Sequence, residues 1–274
     1  MTSFETLHVD IATNGVATVT ISNGKANAMS QQFFRDIHAC FTDLGSNVDV
    51  RVILLQAKGT YFTVGLDLKD AMSSAPSDGE HRDVARKALQ QRQHILWLQS
   101  TFTALENCPQ PIIMAIHGAC IGGGIDLSCC CDIRLASEQA WFCIKEVDVG
   151  LCADLGTLQR LPKVMGNQSA VRELAYTARR FEAKEALDLG LVSRVYKSRE
   201  ELIERARELA EDIASKSPVA VVGTKVNLNY ARDHSVSESL EYQATWSSSA
   251  LQSEDLPKSF IASLNKEKAV YSKL

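Results

Sequence analysis

No apolar run in this chain of 274 residues is long enough to span a membrane, which takes about 20 consecutive residues. A basic face is missing too: 29 Lys and Arg face 33 Asp and Glu, the formal charge is −4, and the cations are scattered. A nucleic-acid backbone needs clustered cations, so no nucleic-acid partner is expected. A small anionic ligand stays open, because local amides and a few Lys or Arg can hold one. Residues 1–11 carry Glu5 and Asp10 but no Arg and no long apolar stretch. Neither a secretory signal nor a mitochondrial presequence is therefore expected, and the eight cysteines read as free thiols in a reducing compartment. Three catalytic signatures are also missing. No Lys-Ser or Lys-Thr follows the glycines at 122–124, so there is no P-loop. Leu127 stands where the dinucleotide fingerprint has its third glycine. No G-x-S-x-G elbow exists for a serine hydrolase.

What is present is ordinary for a globular enzyme of one or two domains: 45% hydrophobic and 23% charged residues. Leu7 to Ala12 and Val16 to Ser22 alternate around Asn14-Gly15, which predicts a hairpin. Ser30 to Leu44 has helical spacing with Ser30 placed as a cap. Val52 to Leu55 and Pro111 to Ile116 read as buried strands. The Ser/Pro/Gly/Asp-rich patch 73–79 reads as a mobile loop entering a helix that ends near Leu105. After Glu200 the pattern is helical almost throughout, interrupted at Ser217-Pro218, with further helices expected to Arg232, over Ser235 to Gln252, and from Asp255. The chain thus divides into a mixed α/β part, 1–196, and a helical part, 197–274. Ser272, Lys273 and Leu274 match the tripeptide address read by the peroxisomal import receptor, so a peroxisome or an organelle derived from one is the expected location.

Two segments echo each other. The strand at 52–55 leads to Gly65-Leu66-Asp67-Leu68, and the strand at 112–116 leads to Gly124-Ile125-Asp126-Leu127. This suggests repeated strand–turn–helix units. In the second, Gly118 and Gly122-Gly123-Gly124 let the backbone approach a ligand and turn its free amides toward it. Such amides can stabilise a developing oxyanion; a purely structural turn reads equally well. Four acids surround the segment. Asp126 opens the helix after the glycines, where a carboxylate also serves as a plain cap. Glu146 and Asp154 flank Val149 to Ala153, which looks buried, and buried carboxylates have raised pKa values suited to proton transfer. Asp148 alternates with Glu146, and the pattern does not choose between them. The run Cys129-Cys130-Cys131 points three ways from a helix and reads as small buried hydrophobes rather than a metal site. His117 follows a strand and reads as a satisfied buried histidine.

From residue 5 to about 265 the chain resembles the crotonase (enoyl-CoA hydratase/isomerase) superfamily. The resemblance is carried by Phe62 to Leu68, His117-Gly118 with Gly122-Gly123-Gly124, Cys131-Asp132-Ile133-Arg134, and Gly156 to Leu161. Within it, Lys145 to Lys163 and Ser215 to Leu228 are similar to the Δ3,5-Δ2,4-dienoyl-CoA isomerases. The resemblance implies a spiral of repeated ββα units with a C-terminal helical trimerisation region, and a homohexamer of paired trimers. It implies an acyl-CoA thioester substrate bound along Val64, Gly65, Leu66, Asp67, Leu68 and Gly123, with the amides of Leu66 and Gly123 as an oxyanion hole. Glu146 matches the proton-transferring acid near the α-carbon. Asp154 stands where hydratases carry glycine, Asp126 where they carry a second glutamate. The coenzyme A moiety would lie near Lys25, Ala26 and Ala28, a loop shorter than in many relatives. No metal or other cofactor is expected. The implied reaction moves the double bonds of a 3,5-dienoyl-CoA to the 2,4 positions. Hydration of a 2-enoyl-CoA on the same fold, or a non-catalytic acyl-CoA- or RNA-binding scaffold, are the alternatives.

Overall fold

The computed structural model describes residues 3–73 and 83–274. The loop expected over 73–79 lies, but for Ser73, outside them. The chain begins with β1 (Leu7–Ile11) and β2 (Val16–Ile21), antiparallel across the Asn14-Gly15 turn. The helix α1 (Gln31–Gly45) follows, with the Ser30 hydroxyl accepting from the Phe33 N–H at 3.2 Å. Next come β3 (Val52–Ala57), the short α2 (Leu68–Ser73) and the long α3 (Val84–Asn107), capped by Asp83. Then β4 (Ile112–Ile116), β5 (Ala119–Ile121) and α4 (Gly123–Cys129) form one unit. The next runs β6 (Ile133–Ser137), β7 (Trp141–Cys143), a 3-10 turn over Glu146–Val149, and α5 (Thr157–Val164). Last in the mixed part are α6 (Gln168–Thr177), β8 (Phe181–Glu182), α7 (Ala183–Asp188) and β9 (Arg194–Tyr196). Four helices complete the chain: α8 (Arg199–Ala214), α9 (Pro218–Ala231), α10 (Val236–Ala250) and α11 (Asp255–Asn265).

Six strands form one sheet in the order β1-β2-β3-β4-β6-β9, parallel except for the first pair. A second, small sheet has the order β5-β7-β8. Chain order explains the pair. After β4 and again after β6 the chain makes a short strand of the small sheet and then enters a helical turn. After β3 it touches the small sheet only through the bridge of Thr63 with Cys120 before α2. The echo seen in the sequence is thus a repeated unit of the fold, and the turns of its first two copies lie side by side.

Alternation decides which residues face which layer. Ile53, Leu55, Ile112, Met114 and Ile116 pack with Phe33, Phe34, Phe41 and Phe102 of α1 and α3 on one face. Leu54, Ile113, Ala115 and Leu135 meet α8 on the other. Both faces being covered explains why β3 and β4 read as continuous apolar runs. Along α8, Leu202, Ala206, Ala210 and Ala214 recur at helical spacing and are all buried. Their small side chains let the helix lie close to the sheet. The carboxyl ends of the parallel strands lead into the glycine turns and acidic loop described next.

Candidate active site

The turn 62–68 and the turn 118–126 are locked together by backbone bonds. Thr63 N–H donates to Ala119 O at 3.0 Å, and Ile121 N–H donates to Thr63 O at 3.2 Å. Gly65 sits at the crossing with φ +82°, and a β-carbon there would lie 2.8 Å from Ile121 O. Only glycine meets both demands. On its other side the first turn pairs with Met29 in parallel fashion: Met29 N–H donates to Gly65 O and Asp67 N–H to Met29 O, at 2.8 and 3.0 Å. In that pattern the residue between, Leu66, turns its own N–H away from Met29. No hydrogen bond to a described residue uses the Leu66 N–H. The N–H of Gly123, first in α4, likewise has no acceptor among the described residues, as the first turn of a helix dictates. Two donors free to take an incoming oxygen therefore lie on adjoining turns.

Three carboxylates lie close enough to act on one another here: Asp126 in the second turn, Glu146 beside it, and Asp154 beyond them. Asp126 is 1% exposed, and its Oδ1 accepts the Thr157 N–H at 2.6 Å. It lies in the first turn of α4 but does not serve as a plain cap: its carboxylate reaches across to the start of α5. Burial pushes it up to about 6, against the lowering pull of Thr157. Glu146 opens the 3-10 turn with Oε1 beside Gly122, 3.4 Å from where a β-carbon would stand, and its Oε2 is buried without a partner among the described residues. Burial foremost, then the charge of Asp126, raises it to about 7. Asp154 is half-buried and raised by burial, with His94 of α3 pulling the other way. The two acids that the sequence pattern did not separate have different surroundings: Asp148 pairs with Lys145 at 2.5 Å on the exposed side of the turn, while Glu146 lies beside Gly122.

One expectation is corrected. Val149 to Ala153 does not form a buried segment: Val149 is 49% and Leu151 42% exposed, Cys152 is exposed, and only Ala153 is buried. Gly150 at φ +84° ends the 3-10 turn and swings the chain outward. The triplet Cys129-Cys130-Cys131 is buried as expected. His117 is buried, but it is satisfied at one nitrogen only: Nε2 lies 3.0 Å from Gly59 O, Nδ1 has no partner among the described residues, and burial lowers the ring to about 4.

The remaining sequence candidates fall around the first turn. Val64 N–H donates to Ala26 O at 3.2 Å, and Asn23 Nδ2 donates to Ala28 O at 2.5 Å, so 25–28 is pinned beside 64–66. Asn27, buried with φ +51°, supplies the anchors: its Nδ2 donates to Lys58 O and Tyr61 O, and its own carbonyl accepts the Thr63 hydroxyl. Asp67 has a structural task, since its Oδ1 accepts the N–H groups of Lys69 and Asp70 at the start of α2. Leu66 and Leu68 are 41% and 54% exposed. Gln99, whose Nε2 donates to Asp154 O at 2.7 Å, carried no sequence signal at all; 55 residues separate the two, and only the fold joins them.

Residues 12–273 match the enoyl-CoA hydratase/isomerase family. The chain is 49% identical to a rat (Rattus norvegicus) protein named mitochondrial Δ3,5-Δ2,4-dienoyl-CoA isomerase, over 97% of this chain and 81% of the rat protein. It is 47% identical to an Arabidopsis thaliana protein named peroxisomal Δ3,5-Δ2,4-dienoyl-CoA isomerase, over 90% and 89%. Its structure is similar to the crystal structure of an enoyl-CoA hydratase from Bacillus anthracis, with a TM-score of 0.87 and 29% identity, covering 97% of this chain and 99% of that one.

Proposed function

The chain belongs to the enoyl-CoA hydratase/isomerase family, and on that premise we propose that it moves the double bonds of a 3,5-dienoyl-CoA to the 2,4 positions. The carrying observation is a pair of acids that act on each other, Glu146 beside the glycine turn with its two free backbone donors and Asp154 near enough to raise Glu146 by its charge, each held above its ordinary value by burial. The relatives named as such isomerases support the same substrate.

The thioester oxygen accepts from the N–H groups of Leu66 and Gly123. Charge then develops on that oxygen as Glu146 takes a proton from C2, and donors already aimed at it stabilise the extended enolate, conjugated through C6. Glu146, at about 7, is poised to take and hold that proton near neutral pH. The electron pair delocalises along the conjugated chain, and Asp154 delivers a proton to C6. The bonds at C3–C4 and C5–C6 become bonds at C2–C3 and C4–C5, and no atom is gained. One carboxylate does not easily reach both carbons, which is why two are needed. Glu146 ends with one proton more and Asp154 with one fewer, so the pair exchanges a proton before the next turnover. Asp126 keeps Glu146 raised by like charge. Val64, Gly65, Asp67 and Leu68 shape the turn around the thioester, and coenzyme A, part of the substrate, runs past Lys25, Ala26 and Ala28. The docking of 25–28 on that turn supports this path.

The decisive assay follows absorbance of the conjugated 2,4-dienoyl-CoA formed from a 3,5-dienoyl-CoA. Fast hydration of a 2-enoyl-CoA with the 3,5-diene untouched would make the protein a hydratase instead. Assembly through the C-terminal helices into a homohexamer is part of the same proposal. The exposed Leu228, Leu240, Phe260, Ile261 and Leu264 of α9 to α11 support it, and sedimentation tests it. Import through Ser272, Lys273 and Leu274 is a further proposal. The Arabidopsis relative is named peroxisomal and the rat relative mitochondrial, so a fluorescent fusion with and without these three residues decides.

A further inference from the structure

The carboxylate of Asp154 is held by no side-chain hydrogen bond among the described residues. Its place depends on its backbone, and that backbone lies in an irregular stretch between the 3-10 turn and α5. One face of α3 supplies the restraint. Gln99, Thr103 and Glu106 are spaced four and three apart, so they share a stripe of the helix. Gln99 Nε2 donates to Asp154 O at 2.7 Å. Arg160, in the first turn of α5, donates to Glu106 Oε2 from Nε and Nη2 at 3.1 and 2.7 Å, and to the Thr103 hydroxyl at 3.1 Å. Arg232, just past α9, pairs with the other Glu106 oxygen. The side chains of Arg160 and Glu106 are 15% and 11% exposed. Burial alone would raise Glu106, but Arg160 first and Arg232 second hold it below its ordinary value.

Between these two anchors lies Gly156, at φ +133°. The Arg160 guanidinium fills the space that a β-carbon on Gly156 would need. The segment 154–157 is thus pressed from one side by Arg160, tied to α3 at Asp154, and tied to Asp126 through the Thr157 N–H. A buried charged cluster costs desolvation, and replacing it with apolar side chains is often neutral or stabilising. Its presence behind a proton-transferring acid suggests a task other than stability.

We propose that Gln99, Glu106 and Arg160 are positioning residues that set the reach of Asp154 toward the remote carbon of the substrate. The proposal rests on the isomerase reading above. Glu146 and the two backbone donors lie on other segments and meet this one only through the Thr157–Asp126 bond, so the restraint acts first on the transfer made by Asp154. A misplacement of about 1 Å can cost on the order of a hundredfold in rate, and loss of one anchor allows that much.

The experiment separates the two transfers. A 3,5-dienoyl-CoA is incubated in D2O with the full-length protein. Deuterium entry at C2 is read by mass spectrometry, and 2,4-diene formation by absorbance. In Gln99→Leu, Glu106→Gln and Arg160→Lys, diene formation is expected to fall roughly tenfold or more while C2 exchange stays within about twofold. Arg160→Lys keeps the charge but loses the two-nitrogen grip, and Gln99→Leu leaves the ion cluster whole, so at least one variant folds normally. If both rates fall in step, or diene formation is unchanged in Gln99→Leu and Arg160→Lys, the positioning role is wrong. A wild-type protein that forms no diene at all defeats the isomerase reading itself.

Discussion

The Thr157 N–H donates to Asp126 Oδ1 at 2.6 Å, across 31 residues of chain. That bond ties the helix that follows the glycine turn to the helix that follows the acidic loop. The N–H partly offsets the charge of Asp126, no cation among the described residues pairs with it, and that charge is felt at Glu146.

Removing that charge is expected to change the pH profile. Glu146 is raised partly because ionised Asp126 disfavours its own ionised form. In Asp126→Asn the proton leaves Glu146 more easily, so the acid limb of kcat/KM, expected near pH 7 in the wild type from the raised Glu146, is expected to move to lower pH. An unmoved limb would show that Asp126 does not tune Glu146. Stopped-flow rates between pH 5 and 9 give the answer.

Glu146→Gln is expected to lower turnover by roughly a hundredfold or more, the scale of a lost general base, while raising thermal stability. The sign follows from linkage. A carboxyl whose folded pKa, about 7, lies above its ordinary 4.5 is ionised readily only when unfolded. It therefore costs stability as pH rises from about 4.5 toward 7, and the cost persists above that. With part of the side chain reached by solvent, the gain for Gln at pH 8 is on the order of 1–2 kcal/mol. It vanishes below about pH 4, where both states are protonated. Calorimetry at pH 4 and pH 8 checks both halves.

Gly65→Ala is expected to damage activity and fold together. The residue needs φ +82° and its new methyl would meet Ile121 O at 2.8 Å, a backbone atom that moves only if the neighbouring turn moves. A loss of about 1–3 kcal/mol is expected, with kcat reduced because both donors shift. Gly166→Ala, where a β-carbon meets nothing within 4 Å, is the control. Equal behaviour of the two in urea unfolding would contradict the turn geometry.

Lys225→Met is expected to destabilise without touching the chemistry. Lys225 Nζ is buried, 2.8 Å from Asp132 Oδ2 and 3.0 Å from Gln110 O, and joins α9 to the start of β4 and β6. Breaking one side of a fully buried pair costs about 3–5 kcal/mol; with the Asp132 side chain 25% exposed, the loss expected here falls below that range. Chemical denaturation measures the loss. The ratio of C2 exchange to diene formation should stay that of the wild type.

Much of the architecture was legible in the residues. Alternation around Asn14-Gly15 defined the β1–β2 hairpin, Ser30 marked the start of α1, and Ser217-Pro218 marked the join of α8 and α9. These are local signals, written within one or two turns of chain. Elements of two to six residues, such as α2, β5, β7 and β8, are too short to show a period. The glycines and acids were visible as chemistry-bearing types, and the echo of Gly65-Leu66-Asp67-Leu68 in Gly124-Ile125-Asp126-Leu127 pointed to two related turns.

What the residues alone determined was therefore the inventory: strands buried on both faces, an apolar stripe on α8, a glycine pair of turns and a set of candidate acids. Tertiary structure decided the rest, because each remaining fact joins distant parts of the chain. It set Glu146 against Gly122 and left Asp148 to Lys145. It turned the apolar residues at 149 and 151 outward through a left-handed Gly150. It bonded Asp126 to Thr157 and brought Gln99 to Asp154. Burial and like charge raise the carboxyls only once these segments converge, and convergence is a property of the fold rather than of any stretch of sequence.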